Sequence, residues 1–117
     1  MADCIFCKDL PKVLENDLTY ALFDIKPVSQ GHLLVIPKRH FESIFQCTHE
    51  EIVAVYDLLH KGKELLSLKF HPDAFNIVVN AGAVAGQVVM HAHVHLIPRY
   101  KGKKLDHPNL DDHVIPD

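Results

Sequence analysis

No stretch of this 117-residue chain approaches the roughly 18 consecutive apolar residues that a membrane-spanning helix needs, so a membrane-embedded role is not expected. Basic residues are also in short supply. Twelve Lys and Arg against fifteen Asp and Glu leave a formal charge of −3, with no cationic excess to grip a nucleic-acid backbone, and nucleic-acid binding drops out as a main role. Any anion must therefore be held locally. Cysteine is scarce and odd in number: Cys4, Cys7 and Cys47 do not make a disulfide framework and fit a reducing compartment. The opening Met1-Ala2-Asp3-Cys4 lacks a basic segment followed by an apolar one, so no secretory leader is expected and the location reads as cytoplasmic. Internal repeats, low-complexity tracts and composition shifts are absent as well, which makes residues 1–117 one domain.

Histidine is what the chain has in quantity. With ten of them the net charge should turn positive below about pH 6. Three fall at alternate positions, His91, His93 and His95, in the run Met90-His91-Ala92-His93-Val94-His95-Leu96-Ile97-Pro98-Arg99. If the run is a strand, its repeat of two turns the imidazoles to one face and Met90, Ala92, Val94 and Leu96 to the other. Ring nitrogens need partners, so three aligned imidazoles call for a ligand, either a metal ion or a phosphate.

Local patterns give the surrounding elements. Segments 18–25 and 32–36 are rich in strand formers, and Lys26-Pro27-Val28-Ser29-Gln30-Gly31 between them supplies a hairpin-type loop. Thr48 followed three residues later by Glu51 is a capping-box pattern. Ile52, Val55, Tyr56, Leu59, Leu65 and Leu66 predict an apolar stripe on a helix running to about residue 69, an ordinary core face. Segments 74–79 and 88–97 read as two further strands. Strands, then a long helix, then strands predict an α+β domain with a mainly antiparallel sheet and the helix on one face. Residues 101–117, with Pro108 and Pro116, read as an irregular tail.

The loop Asn80-Ala81-Gly82-Ala83-Val84-Ala85-Gly86-Gln87 leads directly into the histidines. Glycines let backbone N–H groups turn inward on phosphate oxygens, and Asn80 and Gln87 add side-chain donors. A donor-rich loop beside imidazoles suits an anion better than a bare metal.

The whole stretch, Asn80-x-Gly82-x-x-Ala85-Gly86-Gln87-x-Val89-x-His91-x-His93-x-His95-x-x-Pro98-Arg99, resembles the signature of the histidine triad (HIT) family of nucleotide hydrolases and transferases. Phe23-Asp24-Ile25-x-Pro27 and Gly31-His32-x-Leu34-Val35-Ile36-Pro37-Lys38-x-His40 extend the likeness upstream, for a coverage of about residues 4 to 100. The resemblance implies a five-stranded, mainly antiparallel sheet with one long helix on a face, and a homodimer whose two sheets join into one. It implies that His93 attacks the α-phosphorus of a purine nucleoside phosphoramidate or dinucleoside polyphosphate, forming a nucleotidyl-histidine that water resolves to the nucleoside monophosphate. His95 would hydrogen-bond the phosphate or leaving group and deliver a proton to it, His91 would complete the phosphate pocket and orient its neighbours, and Gln87 with the loop N–H groups would stabilise moving charge. Asp24 would hold the ribose hydroxyls, Ile25 would lie against the base, Asn80 would sit near sugar and phosphate, and Phe6 and Leu22 would wall the base pocket. No metal is required for this chemistry. One position departs from the pattern: Val88 stands where the family commonly has Ser or Thr, so a hydroxyl donor is missing while the backbone N–H survives.

Cys4-Ile5-Phe6-Cys7 is by itself a metal-type or redox-type spacing needing two more ligands for zinc. The resemblance to bacterial-type members supplies them as His40 and His91, a closed, structural set of two thiolates and two imidazoles. Cys47 has no partner in this scheme, and His32, His49, His60, His71, His107 and His113 are assigned to surface or local hydrogen bonding. Two other readings stay open: a metal-dependent hydrolase with His91, His93 and His95 as joint ligands, which leaves the loop and Asp24 unexplained, and a nucleotide-binding sensor with little turnover, which Val88 favours.

Overall fold

The structure, a computed structural model, describes residues 4–105. His107, His113 and most of the expected irregular tail lie outside the described residues. Five strands form one antiparallel sheet: β1 (Leu14–Glu15), β2 (Thr19–Phe23), β3 (Leu33–Pro37), β4 (Ala74–Val78) and β5 (Val94–Arg99), in the order β1-β2-β3-β5-β4. The single long helix, α1 (His49–Phe70), covers one face. No described helix is long and apolar enough to cross a membrane.

The β2–β3 hairpin closes through Gly31, whose φ of +88° suits glycine and whose absent Cβ would sit 2.8 Å from the Phe70 ring. Register then pairs Thr19 with Pro37 and Phe23 with Leu33. The last strand inserts between β3 and β4, setting His95 opposite Leu34. That crossover brings the chemistry of residues 91–95 against the start of β3.

The last strand and the helix face both differ from the sequence pattern. The final strand begins at Val94, not 88, because residues 88–93 are held by loop contacts instead of a ladder: the Ala92 N–H donates to the Phe41 carbonyl at 2.8 Å, and the Gln87 carboxamide donates to the Glu42 and Val89 carbonyls. Strand β1, two residues long, is too short to leave a pattern. The helix runs as expected from its Thr48–Glu51 capping box, but its buried side is Glu51, Val55, Leu58, Gly62 and Leu66. Ile52 and Tyr56 are exposed instead. Apolar residues occupy more than one face of α1, and two contacts choose among them. Glu51 is clamped by the Arg39 guanidinium at 2.9 and 3.0 Å, which holds its carboxyl below the usual range. Gly62 lets the helix approach the sheet, where a Cβ would lie 2.8 Å from Leu33 Cδ2 and 3.1 Å from Leu96 Cδ2.

The core fills this close approach with Ala21, Leu33, Val35, Val55, Leu58, Leu66, Val94 and Leu96. Gly62→Val should overpack it and cost roughly 1–3 kcal/mol, read as a lowered urea midpoint at unchanged slope. On the opposite face Phe6, Tyr20, Leu22, Leu34 and Ile36 form a second cluster beneath the N-terminal segment.

Candidate active site

Alternation along β5 sends Val94 and Leu96 to the helix side, leaving His95 on the other. There a cleft of about 450 Å³ opens, bounded by the N-terminal segment, by Leu22, Asp24 and Ile25 after the β2 strand, by Leu34, and by Asn80, Gly86 and Val88 of the glycine loop. His93 and His95 share its wall, their rings 5.1 Å apart.

The hydrogen-bond network fixes which nitrogen of each ring carries its proton. His93 Nδ1 lies 2.7 Å from the His91 carbonyl, which can only accept, so Nδ1 donates and Nε2 keeps its lone pair. For His95 the chain is longer. The Val28 N–H donates to His32 Nδ1 at 3.1 Å, which puts the His32 proton on Nε2, and that N–H donates to His95 Nδ1 at 2.9 Å. The remaining proton of His95 is on Nε2. The wall thus presents a lone pair from His93 and a donor from His95. Burial keeps both rings neutral: it lowers the His93 pKa, against the opposing pull of the His91 carbonyl and Asp24, and with the neighbouring His93 and His32 it pushes His95 down to about 3.

His32, expected in surface or local hydrogen bonding, belongs to the buried wall of the site. It is 1% exposed, and its Nε2 lies 3.6 Å from Asp24 Oδ2. Burial lowers its pKa while the Asp24 charge opposes. Asp24 also accepts from the Lys26 N–H at 2.9 Å, an Asx-type turn that holds the carboxylate at the cleft edge. The signal for His32 was its place at the head of β3, in the Gly31-His32-x-Leu34 run, where the crossover meets it.

Gln87 and His91 are placed differently from the phosphate-facing expectation. The Gln87 carboxamide is buried and fully engaged, accepting from the Gly82 N–H at 2.8 Å and donating to Glu42 and Val89, so it shapes the loop from within. Gly82 and Gly86, with φ of +99° and +101°, supply the turns at either end of the loop's short 3-10 segment. His91 is fully buried, does not line the cleft, and faces the other way. The three triad rings do not converge on one point among the described residues.

What His91 faces is a second cluster. Its Nε2–H donates to the Pro37 carbonyl at 2.7 Å, aiming the Nδ1 lone pair at Cys4 Sγ (3.3 Å), Cys7 Sγ (3.5 Å) and His40 Nδ1 (3.2 Å). Cys7 Sγ is 3.3 Å from His40 Nδ1. A tetrahedral zinc with ordinary bond lengths has edges of about 3.3 Å between nitrogens and about 3.6 Å between nitrogen and sulfur. The cluster comes close to those dimensions, with its nitrogen–sulfur separations slightly shorter, and the Pro37 carbonyl orients one of its imidazoles from behind. Cys4, Cys7, His40 and His91 fit zinc in donor type and geometry. Cys47 stands apart from them.

The HIT domain family model matches residues 8–102. The chain belongs to the HIT family. Protein hit of Bacillus subtilis is 40% identical to this HIT protein over 104 residues, covering 84% of this chain and 72% of the relative. The adenosine 5'-monophosphoramidase hnt1 of Schizosaccharomyces pombe is 37% identical over 102 residues, covering 82% and 74%. The crystal structure of a zinc-bound histidine triad family protein from Mycobacterium smegmatis matches this HIT fold with a TM-score of 0.80 at 30% identity, covering 99% of this chain and 85% of that one.

Proposed function

We propose that this HIT protein is a nucleotide hydrolase acting at the α-phosphate of purine nucleoside phosphoramidates or dinucleoside polyphosphates through a nucleotidyl-His93 intermediate. The observation that carries the reading is the paired wall of the cleft: an unprotonated His93 Nε2 beside a protonated His95 Nε2, each set by its hydrogen bond on the far nitrogen. In the first step a bond forms from His93 Nε2 to phosphorus as the bond to the leaving group breaks. The departing atom takes a proton from the His32–His95 pair. A bound phosphate anion offsets the burial penalty that keeps this pair neutral in the free cleft, so the pair takes up that proton with the substrate. Water then attacks phosphorus, returns its proton to the pair, and frees the monophosphate and His93.

Asp24 is the ribose anchor in this reading, with Ile25 and the apolar side of the cleft against the base, Asn80 and the Val88 N–H toward the phosphate, and Gln87 acting through loop shape. His91 acts through its carbonyl on His93. Zinc at Cys4, Cys7, His40 and His91 is structural, pinning the N-terminal segment to the edge of the site. Cysteine ligands of this kind suit the reducing cytoplasm. A homodimer fits β4, an edge strand among the described residues, and the exposed Ile52, Val53 and Tyr56 on α1.

The test is incubation with an adenosine phosphoramidate and, in parallel, diadenosine polyphosphates, following AMP release with and without a chelator. Release from either that survives brief chelation supports the reading and the faster substrate assigns the leaving group; no release, with AMP still bound, favours the sensor. The sensor reading draws on Val88, 83% exposed on the cleft rim. Val88→Ser should accelerate release by about tenfold to a hundredfold by restoring a donor to the transition state, and an unchanged kcat would mean that the side chain at position 88 does not limit turnover. Metal analysis should find one zinc per chain, lost in Cys7→Ser.

A further inference from the structure

We infer that metal occupancy of the Cys4, Cys7, His40 and His91 cluster is thermodynamically coupled to nucleotide occupancy of the cleft, with Phe6 as the positioning residue between them. The inference rests on the nucleotide reading of the cleft given above.

Phe6 sits between the two cysteines, inside one 3-10 turn, Ile5–Cys7. Its ring meets His91 edge-on at 5.9 Å and His93 at 5.2 Å, and it lines the cleft. One ring therefore touches a metal ligand, the proposed nucleophile and the substrate space. A second route runs through the backbone, since the carbonyl of His91 receives the His93 Nδ1–H.

The segment that carries Phe6 is held by apolar packing of Phe6 and Leu10 on Tyr20, Leu22, Leu34 and Ile36, and its polar holds are few. Residues 4–12 join no strand, and among the described residues their backbone is tied to the rest of the chain by one hydrogen bond, from the Tyr20 hydroxyl to the Phe6 carbonyl. Yet this strap gives Ile5, Phe6, Leu10 and Pro11 to the cleft wall. Bridging Cys4 and Cys7 to His40 and His91 orders the strap from two points in a single turn. With the bridge gone, ordering the wall falls to the incoming nucleotide and weakens its binding. Linkage makes the effect mutual: a nucleotide that favours the ordered wall must hold the metal more tightly by the same factor.

The experiment measures AMP affinity by calorimetry on zinc-loaded and zinc-stripped protein. In a second arm, zinc transfer to a chromogenic chelator is followed with and without saturating AMP. Stripping should weaken AMP at least tenfold, and saturating AMP should slow zinc transfer by a comparable factor. Phe6→Ala, zinc-loaded, should keep one zinc per chain but lose the AMP effect on transfer, with Phe6→Leu retaining part of it. If the stripped protein unfolds by circular dichroism, the transfer arm on loaded protein decides alone. Zinc transfer insensitive to saturating AMP, or equal AMP affinity in two folded forms, overturns the coupling and leaves the nucleotide reading standing. Loaded protein that binds no AMP overturns both.

Discussion

His93→Ala should reduce AMP release by about four orders of magnitude or more while leaving AMP affinity within about tenfold, or ~1.4 kcal/mol. Among the described residues that line the cleft, His93 is the imidazole whose Nε2 lone pair is left free by a donor bond on the far nitrogen, and the nearby Asp24 carboxylate is tied to the Lys26 N–H at the cleft edge. Its part in binding is smaller, because Asp24, the loop and the apolar wall survive the substitution. Wild-type enzyme quenched in denaturant at alkaline pH, where a phosphorus–imidazole bond survives, should show an adenylyl adduct by intact mass, and the variant none. A variant that turns over within tenfold of wild type would sink covalent catalysis at this residue, and a large loss of AMP affinity would recast His93 as a binding group.

Stability should fall as pH drops below about 6.5. His32 and His95 are held neutral by burial, with His95 pushed down to about 3. In the unfolded chain both would titrate near 6.5, so between these limits the unfolded state binds more protons and acid favours it. Each such histidine contributes a slope of about 1.4 kcal/mol per pH unit. The stability is intact above pH 7 and is lost progressively toward the folded-state pKa values. Thermal unfolding of Cys7→Ser between pH 7.5 and 4.5 isolates this effect from acid release of metal. A midpoint flat across that range would mean the two rings titrate normally and lack the buried, bonded environment described for them.

The fold was readable where local chemistry is self-sufficient. The Thr48–Glu51 box marked the helix start, and the Pro- and Gly-bearing loop marked the β2–β3 hairpin. What escaped depended on contacts made across the chain. The helix face is chosen by Arg39 reaching Glu51 and by Gly62 lying over Leu33 and Leu96, neither of which periodicity contains. His91, His93 and His95 look equivalent in a period of two. The strand begins only at Val94, so the first two are freed from the alternation, and each ring is turned by its own acceptor. His32 needed the β3–β5 crossover to become visible. Family resemblance supplied the four residues of the metal cluster, drawn from the N-terminal turn, the end of β3 and the triad, a set that spacing alone could not assemble.

One-residue alternation in β5 also bears on how this chain can change length. Val94 and Leu96 lie in the helix-side core while His95 shares the cleft, so a single residue gained or lost just ahead of Val94 would turn the strand over. Imidazole would enter the aliphatic layer and an aliphatic side chain would replace the donor. Even a two-residue change, which restores the faces, would slide the histidine away from its partner on β3. Length variation among functional descendants is therefore expected at the Gly82 and Gly86 turns, upstream of the bonds that Gln87 and Ala92 use to anchor the approach to β5, while residues 87–96 stay constant in number.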